Sequence, residues 1–128
     1  MIKANELTVG RCFIFTNENS VARAIDKEDM ADIDELLCVI EPIHLTPEVL
    51  EKCGFETANT KRDFGNGFEW CRWELKYQYI FQVDKGIFEY SLFQDEFGSN
   101  EKGVEITSLH QLQNIYFALT GEELNIQL

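Results

Sequence analysis

Two hydrophobic repeats in one short chain predict an α+β fold: an antiparallel sheet of short strands, a short central helix, and a C-terminal helix packed on the sheet. Three observations carry this reading. Residues 108–124 have a helical stripe with a start and a stop, Thr46-Pro47-Glu48 opens a second helix, and the stretch between them alternates at period two. A length of 128 residues fits one domain spanning 1–128.

The elements follow in chain order. Leu7–Gly10 and Arg11–Phe15 are β-prone, Asn17–Ser20 is a turn, and Val21–Ile25 is placed to pair back across it. Leu36–Ile40 is a short apolar run of the kind found in buried strands. Short strands of this sort suit a small curled SH3-like sheet in the N-terminal part. Between them, Asp26–Glu35 holds six acidic residues and one basic residue. It lacks the glycine and the bidentate glutamate of an EF-hand loop, so it reads as a solvated loop or helix.

Thr46 is a natural helix cap, Pro47 fits the first helical position, and Glu48 meets the positive end of the helix dipole. Gly54 stops this helix after about two turns, and Phe55 folds over its end. Leu75, Tyr77, Tyr79, Phe81 and Val83 then alternate with Lys76, Gln78, Ile80 and Gln82 as a half-buried strand. Asp84-Lys85-Gly86 turns the chain into Ile87–Phe93. Upstream, Gly65-Asn66-Gly67 is a turn leading into Phe68–Trp73. Downstream, Phe97–Gly103 is a loop and Val104–Ile106 a last strand.

In the C-terminal helix, Leu109, Leu112, Ile115, Tyr116 and Leu119 share one stripe. Ser108 is placed to cap it and Gln111 to complete a capping box. Gly121 supplies the left-handed stop, and Leu124 covers the last turn.

Composition bounds function. With 45% hydrophobic residues the chain has a core to bury, and no apolar run reaches a membrane-spanning length. Met1–Glu6 carry no apolar leader core, so a cytoplasmic location is expected. A net charge of −12 repels phosphate backbones and anionic membranes; it favours either plain solubility or a partner with a basic surface. Cys12, Cys38, Cys53 and Cys71 form no C-x-x-C pair and sit among apolar neighbours, which predicts buried reduced thiols.

Three groups of residues recur together in a known group of proteins. They are Ala4–Leu7 with Val9-Gly10, Pro42–Thr46 with Gly54-Phe55, and Leu109–Leu124. On these the chain resembles a family of small uncharacterised proteins of gut-type anaerobic bacteria and of their phages and mobile elements. Arg11-Cys12-Phe13 replaces the asparagine and the following aromatic or valine usual after that glycine. The resemblance implies a phage- or mobile-element-related role and transfers no catalytic residue.

No catalytic constellation stands out. The serines lack a nucleophile-elbow context, no glycine-rich phosphate loop follows a strand, and His44 and His110 lie at no metal-ligand spacing. No cofactor and no metal site is expected. His44, between apolar neighbours, reads as a core or edge histidine. Two candidate binding groups remain. His110, Gln113 and Phe117 lie together on one side of the last helix, as an exposed contact patch or as capping and sheet contacts. Arg72 and Trp73, with Trp70, Lys76, Tyr77, Tyr79, Phe88 and Tyr90, would make a stacking platform for single-stranded nucleic acid if exposed. Residues 61–85 hold five basic and four acidic residues, against the acidic trend. The expected function is a non-enzymatic protein-interaction or accessory protein, with a nucleic-acid-associated module as the alternative.

Overall fold

The computed structural model describes residues 7–63, 69–84, 87–91 and 103–127. Among these are two antiparallel sheets and four α-helices, an α+β architecture. The turn at 65–67, the end of the turn at 85–86, Leu92-Phe93, most of the 97–103 loop and the side chains of Trp70 and Cys71 lie outside the described residues.

The first sheet has the order β2-β1-β3, from β1 (Cys12–Phe15), β2 (Val21–Ala24) and β3 (Ile40–Glu41). Val21 pairs back on Phe15 as expected, after a 3-10 turn at Thr16–Glu18. Leu7–Gly10 is not a strand. Gly10 has φ 97 and donates its N–H to the Ile25 carbonyl, which breaks the extended run before Arg11.

Helices α1 (Lys27–Met30) and α2 (Ile33–Val39) stand between β2 and β3, so the curl of this sheet is limited to three strands. The buried strand expected at Leu36–Ile40 is instead mostly helix. Asp32 caps it by accepting the Glu35 N–H, and Asp34 and Glu35 occupy its first turn, where the dipole favours anions. Ile33, Leu36, Leu37 and Ile40 then recur at helical spacing and pack with Phe13, Phe15 and Ile25. The end of the acidic stretch, Asp34-Glu35, and most of the apolar run are parts of one amphipathic helix. Asp26 and Asp29 form a reciprocal capping box on α1.

Helix α3 (Pro47–Lys52) follows expectation at both ends. Thr46 Oγ1 accepts the Val49 N–H, and Gly54 sits at φ 93. The Gly54 N–H bonds to the Glu51 carbonyl and the Phe55 N–H to the Leu50 carbonyl, the paired bonds of a Schellman stop. Phe55 and Leu50 are both buried in the main core.

The second sheet is a meander, β4 (Glu56–Asp63), β5 (Glu69–Leu75), β6 (Gln78–Asp84), β7 (Ile87–Ser91) and β8 (Gly103–Ile106). The strand expected over 75–83 is divided. Lys76 and Tyr77 have φ 46 and 65 and form a two-residue turn that pairs Leu75 with Gln78. The alternation continued through this turn because neither residue is Gly, Asn or Asp.

One sheet face carries Trp73, Ile80, Phe88, Tyr90 and Ile106 into the main core. The C-terminal helix α4 (Leu109–Thr120) lays Leu109, Leu112 and Tyr116 on that face. Its stop is as expected, with Gly121 at φ 73 donating to the Phe117 carbonyl and Leu124 buried. Its start differs. Ser108 makes no side-chain cap, because its backbone bridges His44, an exposed residue, and its Oγ is buried without a partner among the described residues. Gln111 reaches back one residue further and accepts the Thr107 N–H at 2.9 Å.

Cys12 and Cys53 are buried free thiols, and burial pushes Cys53 up to about 12. Cys38 is exposed, contrary to expectation, because α2 turns that position outward. No helix among the described residues is long and apolar enough to cross a membrane.

Candidate functional site

The two groups of residues singled out in the sequence divide sharply by exposure. Phe117 is 44% exposed, whereas His110 and Gln113 face inward at 3% and 2%. Of the two readings of this group, the burial of His110 and Gln113 fits contacts with the neighbouring sheet and not an exposed patch. Helix α4 is covered on two sides, by the large sheet and by β1, so its buried arc extends past the apolar stripe. His110 stacks on Phe13, with ring centroids 4.7 Å apart. Gln113 accepts the Cys12 N–H at 2.8 Å and donates to the Gly10 carbonyl at 3.0 Å, closing two backbone groups ahead of the β1 ladder.

Arg11 is buried beside them. Its Nε donates to Asn114 Oδ1 at 2.6 Å and its Nη1 to Glu123 Oε2 at 2.7 Å, and its guanidinium lies 5.9 Å from the Phe117 ring. This clamp ties the first strand to the residues after α4. Its signal in the sequence was a lone cation inside an apolar strand.

The aromatic platform is likewise not an open face. Trp73, Phe88 and Tyr90 belong to the main core, and Tyr79 and Phe81 are buried together on the opposite sheet face. Arg72 lies on that opposite face, its guanidinium 5.6 Å from the Tyr79 ring. Burial also raises the Tyr90 hydroxyl above its ordinary range, and this hydroxyl donates to Gln78 Oε1 at 2.8 Å. Among the described aromatics only Tyr77 and Phe117 are exposed.

The surface with the strongest chemical character is the acidic one. A hollow of about 210 Å³ opens between the 3-10 turn and helices α1 and α2. Phe15, Leu36 and Val39 form its apolar lining, and Glu18, Glu28, Asp29, Asp32 and Glu35 supply carboxylates. Helix capping explains part of this crowding, since Asp32 and Asp29 serve α2 and α1.

Arg23 explains another part. Its guanidinium covers the Phe15 ring at 3.6 Å and binds Glu18 and Asp29 through two bonds each, all between 2.8 and 3.0 Å. Those hydrogen bonds hold Glu18 below the usual carboxylate range and bring Asp29 down to about 2. Glu28 and Glu35 form no ion pair among the described residues. Arg23 thus holds its guanidinium against Phe15, Glu18 and Asp29 of the lining, and the hollow keeps carboxylates beyond those engaged.

Arg23 was not picked out from the sequence; its signal was a single arginine next to an acidic run. Among the described residues no three His, Cys, Asp or Glu side chains are grouped to hold a metal ion. The chain matches no protein-family model, no curated protein and no solved structure.

Proposed function

We propose that the protein is a cytoplasmic, non-enzymatic interaction protein of phage or mobile-element biology that docks a basic surface of a partner protein on its acidic hollow. The observation that supports this reading is the pairing of an apolar floor with an acidic rim, Leu36 and Val39 beneath Glu28 and Glu35. A lysine or arginine side chain fits such a place, its stem on the floor and its charge at the rim. The net charge of −12 draws a basic protein in and drives phosphate away. The nucleic-acid reading is less favoured, because Trp73, Tyr79, Phe88 and Tyr90, which would stack on bases, are buried.

The test is titration calorimetry with a lysine- and arginine-rich peptide, with a glutamate-rich peptide of equal length as control. The expected result is binding to the basic peptide alone, weakened by salt and by Glu28→Gln with Glu35→Gln. Absence of binding at low salt, or binding indifferent to those substitutions, overturns it. Both substituted positions are exposed and uncapping, so the fold is retained.

A further inference from the structure

We propose that β8, at the edge of the large sheet, takes up an extended segment of a partner protein as an added strand, one whose side chains alternate between apolar and basic. The edge serves the chain's role as an interaction protein, on which this assignment rests, through residues separate from the acidic hollow.

β8 is the last strand in the order β4-β5-β6-β7-β8 and pairs only with β7 among the described residues. A strand paired on one side presents a row of N–H and C=O groups on the other. Natural edges are blunted by proline, lysine or a bulge. β8 reads Gly103-Val104-Glu105-Ile106, and its pairing with β7 runs without a shift of register. Directly after it the chain already accepts an extended segment. Leu45 donates its N–H to the Thr107 carbonyl at 3.0 Å, and Leu109 donates to the Ile43 carbonyl at 2.8 Å.

A hollow of about 370 Å³ lies against the same strand, lined by Val104, Glu105 and Ile106 and by Gln111, Asn114 and Ile115 of α4. Val104 stands opposite Tyr90 and Ile106 opposite Phe88, so both lie on the sheet face that carries the main core. Ile106 is buried there, whereas Val104 is 37% exposed and Ile115, on the other wall, is half-buried. The apolar face therefore runs past the cover that α4 gives it. A strand added to β8 places every second side chain in this hollow, over Val104 and Ile115. Gln111 adds a polar fixing point. Its Oε1 is taken by Thr107, and its amide nitrogen makes no hydrogen bond among the described residues.

Charge selects the occupant. On the other face of β8, Glu105 stands directly opposite Glu89, an arrangement in which like charges repel. Neither forms an ion pair among the described residues. A lysine or arginine on the added strand, opposite Glu105, relieves that repulsion. A second copy of the chain fits less well, since it brings a net charge of −12 against −12 and sets two Glu105 side chains on one face of a shared sheet. A segment alternating apolar and basic residues meets both faces of β8 at once.

The test is an amide NMR and hydrogen-exchange titration of the full chain with an alternating valine–lysine peptide. An alternating valine–glutamate peptide and a valine–lysine peptide N-methylated at every residue are the comparisons. Expected are shifts at residues 103–106 and 111–115 and slowed exchange of β8 amides with the valine–lysine peptide, and none with its N-methylated form. Val104→Lys lowers the affinity by about tenfold, the worth of one buried apolar side chain. Glu105→Lys reverses the preference toward the valine–glutamate peptide. The response at β8 persists in Glu28→Gln with Glu35→Gln. Shifts confined to the α1–α2 hollow overturn the proposal and leave the hollow's role standing, whereas shifts confined to β8 and α4 support it and speak against the hollow. Equal binding of the N-methylated peptide, or absence of binding, overturns it as well. Protection of β8 that grows with protein concentration in the absence of peptide assigns the edge to a second copy and overturns the choice of partner.

Discussion

Replacing Gln113 by leucine removes a near-isosteric side chain from the junction of α4 and β1 and tests whether this buried amide is structural. Its two hydrogen bonds, 2.8 Å from the Cys12 N–H and 3.0 Å to the Gly10 carbonyl, are made at a residue only 2% exposed. Leucine leaves the buried Cys12 N–H without a partner and takes the amide donor from the part-buried Gly10 carbonyl. A buried orphaned group costs about 1–3 kcal/mol and the part-buried one about 1–2 kcal/mol, so the loss is about 2–5 kcal/mol before the gain from burying an apolar side chain. That gain offsets about 1 kcal/mol, because the amide it replaces was already satisfied. A net loss of about 1–4 kcal/mol lowers the melting temperature by roughly 5–15 °C in a chain of this size.

Urea and calorimetric unfolding supply the measurement, with hydrogen exchange at the Cys12 amide as a local readout. Gln111→Leu is the comparison. It removes a bond to the exposed Thr107 N–H, which water replaces, so its cost stays below about 1 kcal/mol. A Gln113→Leu protein that melts within about 2 °C of the parent refutes the assignment, since a loss that small is under 1 kcal/mol. A Gln111→Leu cost equal to that of Gln113→Leu refutes it too.

Three further outcomes are expected. Lys76→Asn with Tyr77→Gly removes two strained left-handed side chains and raises stability by about 1 kcal/mol, after the extra freedom glycine gives the unfolded chain; an unchanged or lower melting temperature contradicts the turn assignment. Asp29 has its pKa lowered from 3.8 to about 2 by Arg23, so its contribution is present above the unfolded value and is lost as pH falls through the folded one. Both partners are partly exposed, so this contribution is at most about 1 kcal/mol, and carboxylate NMR titration is to show Asp29 moving back toward 3.8 in Arg23→Gln. Native protein treated with a thiol reagent is modified at Cys38 in preference to Cys12 and Cys53, whose burial raises both thiols; peptide mapping that finds Cys53 labelled as fast as Cys38 contradicts the packing around α3.

What was legible in the chain is what short-range chemistry controls. The limits of α3 and the stop of α4 were readable because Thr46, Pro47, Gly54 and Gly121 satisfy or release backbone groups within a few positions of themselves. The β1–β2 pairing and the last strand were readable for a similar reason. The Lys76–Tyr77 turn was not, since its residues contradict the usual turn chemistry and the apolar alternation passes straight through it. Helix α2 was missed because its polar half and its apolar half were read as separate segments, although Asp32 joins them as a cap.

The ends of α3, the stop of α4 and the α+β class were therefore set by the residues alone, the helix ends by forces acting over one or two turns of chain. Which way His110 and Gln113 point was settled only by the tertiary structure. Their partners, Phe13 and Cys12, lie far away along the sequence, 101 positions in the case of Gln113 and Cys12, and periodicity within α4 carries no information about a strand packed on its flank. The acidic hollow has the same origin. Its carboxylates are visible in the chain, but Phe15 and Arg23 come beneath and beside them only when β1, β2, α1 and α2 close around a shared apolar cluster.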